Sequence, residues 1–160
     1  MVVAQQAASQ LNLDSPLIGT SPPAGSEQLV RLPTWLWVDP AGWQSQHATA
    51  SVPGVSVTAN AAPTSVTWTL GDGTTLTCRG PGTAFPAGVD PTAASPDCGH
   101  TYTNTSAGQP GGTFTVTATV TWAITWAGGG QAGTLPALQT QATTTLRVVQ
   151  SRAVIVGNGG

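Results

Sequence analysis

The residues that could perform acid–base or nucleophilic chemistry are few and widely spaced. The chain has two histidines, His47 and His100, and it lacks the Gly-x-Ser-x-Gly turn that presents a serine nucleophile in many hydrolases. A Ser-His-Asp triad is therefore only formally possible, and we interpret His47 as an ordinary strand residue. The acidic residues fall mostly in turns and linkers, where a fixed carboxylate pair for glycoside cleavage is not expected. We predict a protein without catalytic activity.

Charge is the second property that narrows the function. Only 6% of the residues are charged, the formal net charge is −2, and lysine is absent. A phosphate-binding loop needs a lysine after its glycines, so this chain cannot contain one, and we expect no cofactor. So few positive charges also provide no surface for nucleic acid or for an anionic membrane. No apolar run approaches the roughly 18 residues of a spanning helix, and we expect no membrane insertion.

Two cysteines and three aspartates are candidates for covalent or metal chemistry. The flanks of Cys78 and Cys98 are rich in glycine and proline and hold no ligand-spaced histidine, which favours a disulfide over a metal site. A disulfide would stabilise the fold by about 3 kcal/mol and implies an oxidising compartment, whereas the alternative is two buried thiols. Asp72, Asp90 and Asp97 could bind calcium only if the chain folded back over the turn at Asp72, and we favour solvated turn residues.

Six tryptophans are the other candidate functional residues. Trp68 and Trp122 are expected in the core because they occupy apolar positions of alternating strands. Trp126 shares a face with Trp122 but lies near the end of its strand, where the core can end. Exposed rings in a row would stack on sugars or insert into a protein partner. The possible ligand platform consists of Trp35, Trp37, Trp43 and Trp126.

The first 28 residues, the N-terminal arm, differ from the rest of the chain. Residues 4–13 favour one or two weak helical turns that end at Asp14-Ser15-Pro16, and residues 19–26 have the composition of an extended linker. We expect this arm to lie on the domain surface or to extend freely. The start lacks the basic and apolar regions of a signal peptide, so an exported chain of this sequence would be a mature, processed form.

Residues 29–156 have the pattern of a single all-β domain, and we interpret residues 157–160 as a flexible tail. Val66 to Leu70 alternates cleanly and ends at Gly71-Asp72-Gly73, a turn that predicts a hairpin. Residues 79–99 form an excursion rich in glycine and proline, which the two cysteines would close at its base.

The strongest alternation runs from Phe114 to Trp126, with apolar residues at the even positions and threonine at nearly all odd ones. Glycine-rich residues 128–133 predict a hairpin to a partner strand over 134–149, with a defect at Pro136. At about 3.4 Å per residue the strand is much longer than usual. It therefore either bends through a bulge or projects as a hairpin arm.

Three motifs occur in order along the domain: V-T-W-T-L-G-D-G at 66–73, H-T-Y at 100–102 and G-T-F-T-V-T-A-T-V at 112–120. Together they resemble the PKD (polycystic-kidney-disease) repeat, whose pattern is Trp-Asp-Phe-Gly-Asp-Gly, His-x-Tyr and Gly-x-Tyr-x-Val-x-Leu-x-Val. The chain departs from this pattern at Thr69 and Leu70. The resemblance implies an immunoglobulin-like antiparallel β-sandwich, here with a long C-terminal β-hairpin and the extended N-terminal arm.

The resemblance also implies roles for the residues of these motifs. The tryptophan would anchor the core, and the two glycines would permit positive φ in the turn. The aspartate between them would accept hydrogen bonds from nearby amides, and the tyrosine would close the corner before the long strand, which begins with phenylalanine instead of tyrosine. The fold-motif residues are Trp68, Gly71, Asp72, Gly73, His100, Tyr102 and Phe114.

A sandwich fold says little about function, since sandwiches serve many functions. PKD-like domains usually act as extracellular interaction or spacer modules of secreted or cell-surface proteins, and we expect this function here. Residues 29–43 also resemble the start of exported actinobacterial proteins of unknown function. A carbohydrate-binding module that uses the tryptophans and a self-assembling fibre subunit with threonine-rich edges are the alternatives. The expected partner is an extracellular protein or a polysaccharide, and the chain could also associate with itself.

Overall fold

The computed structural model describes residues 2–150, which form a helix and two packed β-sheets. The elements in chain order are α1 (Val2–Ser9), β1 (Ile18–Ser21), β2 (Glu27–Leu29), β3 (Pro33–Val38), β4 (Gln46–Val52), β5 (Val55–Thr69), β6 (Thr75–Cys78), β7 (Gly99–Thr101), β8 (Phe114–Gly128) and β9 (Gln131–Val149). The predicted all-β sandwich is confirmed. The predicted tail at 157–160 lies outside the described residues, as does the end of the predicted domain after residue 150.

The two sheets differ in size. The smaller sheet has the strand order β1-β3-β7, and the larger has the order β2-β9-β8-β5-β4, with β6 also paired to β5. The described pairs are antiparallel except that β2 runs parallel to β9, which places Glu27–Leu29 beside Arg147–Val149. The larger sheet is therefore mixed at one end.

The core lies between the sheets because β3, β5 and β8 each turn an apolar face inward. On β8 the even residues from Phe114 to Ile124 are buried, and the intervening residues, threonine except for Ala123, are exposed or half-buried. β3 contributes Leu36 and Val38 from the opposite sheet. The largest fully buried side chains are Trp68, Tyr102, Leu36, Leu70 and Leu146.

The long strands of the larger sheet are interrupted at one level. On β5 the register with β8 shifts between Pro63 and Ser65, opposite Trp122. On β9 it shifts opposite Trp122 and Ile124, where Pro136 lies. Proline cannot donate a ladder hydrogen bond, so both irregularities bend the sheet at this level. We call the part of the sheet containing β8 residues 114–122 the proximal half and the part beyond Trp122 the distal half.

The N-terminal arm is more structured than a linker. α1 packs on the distal half, where Ala7 is fully buried against Ala50 and Ala59. Residues 19–21, the start of the predicted extended linker, instead belong to β1 and pair with β3. This prediction failed because a four-residue strand shows no periodicity of its own. The predicted boundary between residues 28 and 29 falls inside β2.

Candidate binding site

The Gly71-Asp72-Gly73 turn is held by its aspartate. Asp72 Oδ1 accepts the Thr74 N–H at 3.0 Å, and Asp72 Oδ2 lies 2.8 Å from His100 Nε2. Partial burial raises the pKa of Asp72, but the hydrogen bonds with His100 and Thr74 outweigh burial and hold that pKa below its ordinary value of 3.8. Both glycines have positive φ, 84° and 92°. The histidine and the carboxylate thus belong to the framework of the fold.

Tyr102 packs against the Gly71–Gly73 turn from the core side. We call this turn, together with His100 and Tyr102, the corner. Its hydroxyl donates to the Leu70 carbonyl oxygen at 2.9 Å, and its ring stacks on Phe114 with centroids 4.9 Å apart. Burial, followed by the charge of Asp72, raises the pKa of Tyr102 well above its ordinary value. Trp68 is fully buried in the same core cluster, and its indole N–H has no partner among the described residues.

A disulfide joins Cys78 to Cys98, as predicted, with Cα atoms 5.9 Å apart. Cys78 ends β6 in the larger sheet, and Cys98 directly precedes β7 in the smaller one. The bond therefore ties the two sheets together. It also closes the base of residues 79–97.

Residues 79–97 form a loop that packs over the smaller sheet. Leu36 and Val38 of β3 face the core, so Trp35 projects from the opposite face of that strand. The Trp35 indole donates to the Ala93 carbonyl oxygen at 2.8 Å, and its ring meets Phe85 edge to face at 4.9 Å. The loop has no strands among the described residues, yet its base and its middle are both fixed.

The three carboxylates considered as weak calcium ligands serve separate local turns. Asp72 is engaged at the corner, Asp90 accepts both the N–H and the hydroxyl of Thr92 at 2.8 Å, and Asp97 accepts the hydroxyl of Thr83 at 3.0 Å. The hydrogen bonds from Thr92 lower the pKa of Asp90. Across residues 2–150 no three His, Cys, Asp or Glu side chains are grouped as metal ligands, so the structure does not bring these three aspartates together.

The four platform tryptophans do not form one exposed row. Trp35 is only 4% exposed beneath the loop of residues 79–97. Trp37 is half-buried over Gly19 of β1, and Trp126 is half-buried against Gly133, its partner on β9. Each glycine leaves room for a ring against a neighbouring strand, and this packing removes the proposed platform.

Trp43 differs from the other platform candidates because it lines a cavity. This Trp43 cavity has a volume of about 210 Å³ and lies where the N-terminal arm meets the loop after β3 and the sheet at Trp122. Asp39 accepts the Ala41 N–H at 2.9 Å, which shapes the loop that positions Trp43. Its rings, carboxylates and amides suit a small polyhydroxylated ligand. They belong to Asn12, Asp14, Asp39, Trp43, Gln46 and Trp122.

We compared the chain with family models, curated proteins and solved structures. None of them matches. The function proposed for this chain accordingly depends on the chemistry of its own residues. Among residues 2–150, no helix has the length and the apolar character needed to cross a membrane.

Sequence reasoning identified Trp43 but missed the cavity around it. Asn12 and Asp14 belong to the N-terminal arm, which was expected to lie on the surface or extend freely. The available signal was the turn at 39–42, in which an aspartate before proline caps a short helical turn. That turn brings the next tryptophan back toward the core.

Proposed function

We propose that this chain is a PKD-like interaction or spacer module of a secreted or cell-surface protein, and that residues 79–97, which we call the recognition loop, contact the partner. The observation that carries the proposal is the double anchoring of this loop, by the Cys78–Cys98 disulfide and by Trp35. Disulfides persist in oxidising compartments, which supports an extracellular setting. A loop ordered before binding loses little conformational entropy when it meets a partner.

The exposed chemistry of the recognition loop supports a protein partner. Its exposed residues are mainly small and apolar, and Asp90 and Asp97 are occupied within the loop. A surface of this kind offers apolar contact and backbone hydrogen bonds with few charges to desolvate. The exposed apolar residues are Ala84, Pro86, Ala87, Pro91, Ala94 and Pro96.

Site-specific photocrosslinking tests the proposal. A benzophenone amino acid replaces Ala87 of the recognition loop or, as a control, Ala127, which is exposed on the distal half of β8. On intact producing cells we expect one crosslinked extracellular product from position 87 and none from position 127. The product should disappear in the Cys78→Ser/Cys98→Ser variant, because the base of the loop opens. Equal crosslinking from both positions, or none from position 87, would refute the role of the loop.

Saccharide binding at the Trp43 cavity is a second candidate function. The supporting observation is the combination of two indole rings with carboxylate and amide side chains around one space. Isothermal titration with soluble oligosaccharides tests it, and Trp43→Ala and Asp14→Asn should each abolish binding. Asp14 is exposed, so its variant removes ligand contacts without opening the core. Trp37→Ala is the control. Absence of binding by the parent protein at about 10 mM sugar would exclude this function.

A further inference from the structure

The outer edge of β9 is open over most of its length. β9 pairs with β8 along one side from Gln131 to Leu146, whereas β2 covers the other side only at Arg147–Val149. Within residues 2–150 no other strand pairs with β9 on that side. An uncovered strand presents free N–H and C=O groups to any chain that can add a further strand.

The direction of the backbone shows which residues form this edge. The Val149 carbonyl oxygen accepts the Val30 N–H on the β2 side, whereas Ser106 bonds both the N–H and the carbonyl of Val148 on the opposite side. Backbone groups alternate along a strand, and the register is unbroken from Leu138 to Leu146. The N–H and C=O groups that point outward therefore belong to Gln139, Gln141, Thr143 and Thr145.

The side chains along this edge favour pairing with an identical strand. Residues 131–146 contain no charged residue, although charges, lysine above all, are the usual protection of an exposed edge. When two antiparallel copies pair about a two-fold axis, the residue at the axis faces its own copy, so a charge there would oppose a like charge. Glutamine and threonine instead form hydrogen bonds across the strands. Arg147 lies outside this stretch and donates to the carbonyls of Gly111 and Gly112.

We propose that the β9 edge binds a second copy of this chain, with the two β9 strands antiparallel around a two-fold axis near Gln141. The two larger sheets then form one continuous sheet across the dimer. The irregularity at Pro136 limits the pairing to the proximal part of β9. Closed two-fold pairing produces a dimer, whereas joining β9 of one copy to β4 of the next would produce an open filament. This association does not depend on ligand binding at the recognition loop or at the Trp43 cavity.

Sedimentation velocity over a concentration series tests the proposal, with variants that introduce a positive or a negative charge at Gln141. The parent protein should form dimers that dissociate on dilution. Gln141→Lys and Gln141→Glu should each raise the dimer dissociation constant at least about tenfold, because like charges meet at the axis. An equimolar mixture of the two variants should dimerise again. Thr115→Lys adds the same charge at an exposed position of β8 inside the sheet, and it should leave association unchanged.

Amide exchange gives a second measurement. The amide hydrogens of Gln139, Gln141, Thr143 and Thr145 should exchange more slowly as the concentration rises. The proposal would be overturned if the sample dimerises but the exchange rates at these positions do not depend on protein concentration. A parent protein that is monomeric at about 1 mM would also overturn it. Loss of association in His47→Lys on β4 would overturn it in favour of a filament. If a chain that lacks residues 151–160 dimerises and the full chain does not, that segment would be identified as the occupant of the β9 edge instead.

Discussion

The proximal and distal halves of the larger sheet share the same strands but are covered by different parts of the chain. In the proximal half the smaller sheet and the corner bury large side chains, including Trp68, Tyr102 and Phe114. In the distal half α1 covers the sheet mainly through alanines, with Ala7 against Ala50 and Ala59. Burying a large apolar side chain contributes about 1.5–3 kcal/mol, and one methyl group contributes about 0.8 kcal/mol. β5 and β8 therefore each run from a strongly stabilised region into a weakly stabilised one.

The hydrogen-bond ladder is interrupted at the boundary between the halves, which allows their local stabilities to differ. Pro63 on β5 and Pro136 on β9 interrupt the ladder on both sides of β8 at the level of Trp122. Interrupted hydrogen bonding reduces the cooperation between neighbouring regions, and regions with few apolar contacts open first. We expect the distal half to open locally while the proximal half stays folded.

The largest expected effect is the removal of the central ring of the proximal half. Trp68→Ala should lower the free energy of unfolding by about 3–5 kcal/mol, because it leaves a large cavity in the core. Trp68→Phe is the matched control. It also removes an indole N–H that lacks a partner among the described residues, so its cost should be clearly smaller. Denaturant unfolding measures both, and equal losses would contradict the account of the buried N–H.

The next effect concerns the bond that joins the two sheets. The Cys78→Ser/Cys98→Ser variant should lose about 3 kcal/mol of unfolding free energy, since the disulfide spans 20 residues and restricts the unfolded chain. Comparing the oxidised and the reduced parent protein in the same unfolding assay provides the control. Amide exchange in α1 and β4 should change little, because the bond lies in the proximal half. Equal deprotection of both halves would show that they unfold as one unit.

Alternation and turn chemistry predicted most of the proximal half. The long strand from Phe114, the turn at Gly71–Gly73 and the cysteine pair each depend on neighbouring residues or on a single pairing. Recognising an alternating strand or a glycine-rich turn requires only neighbouring residues, so a single sequence is enough to predict them. A defect at Pro136 was expected for the same reason.

The distal half and the Trp43 cavity could not be predicted in the same way. α1 is buried because Ala7 meets two alanines on distant strands, and no local pattern encodes that match. Trp37 and Trp126 were candidates for an exposed platform, but each packs against a glycine of another strand. Whether a tryptophan is buried depends here on the residue across the sheet, and a single sequence does not specify that neighbour.

A charge beneath α1 tests the independence of the distal half. Ala7→Asp would bury an unpaired carboxylate and should destabilise the docked helix by about 1–3 kcal/mol. Hydrogen exchange should show faster amides in α1 and β4, with little change at the corner around Tyr102. Gln6→Asp places the same charge on the exposed face of the helix and should have no such effect. Fast exchange throughout the proximal half would show that the halves are coupled.

The smallest expected effect is the acid sensitivity of the corner. The pKa of Asp72 is lower in the folded protein than its ordinary value of 3.8, so its ionised form stabilises the fold above that pH. This contribution is lost as the pH falls below 3.8 toward the folded pKa. Asp72→Asn should therefore cost less than about 1 kcal/mol near neutral pH and should reduce the loss of stability on acidification.

Unfolding free energies between about pH 6 and pH 2.5 measure this effect. Asp90→Asn removes the same charge from an exposed turn and should alter the pH profile less, because solvent screens that carboxylate. Helix α1 and the distal strands contain no carboxylate among residues 2–9, 46–62 and 124–135, so their amide exchange should not follow the titration of Asp72. Identical acid profiles for the parent protein and Asp72→Asn would show that this carboxylate does not link the corner of the proximal half to pH.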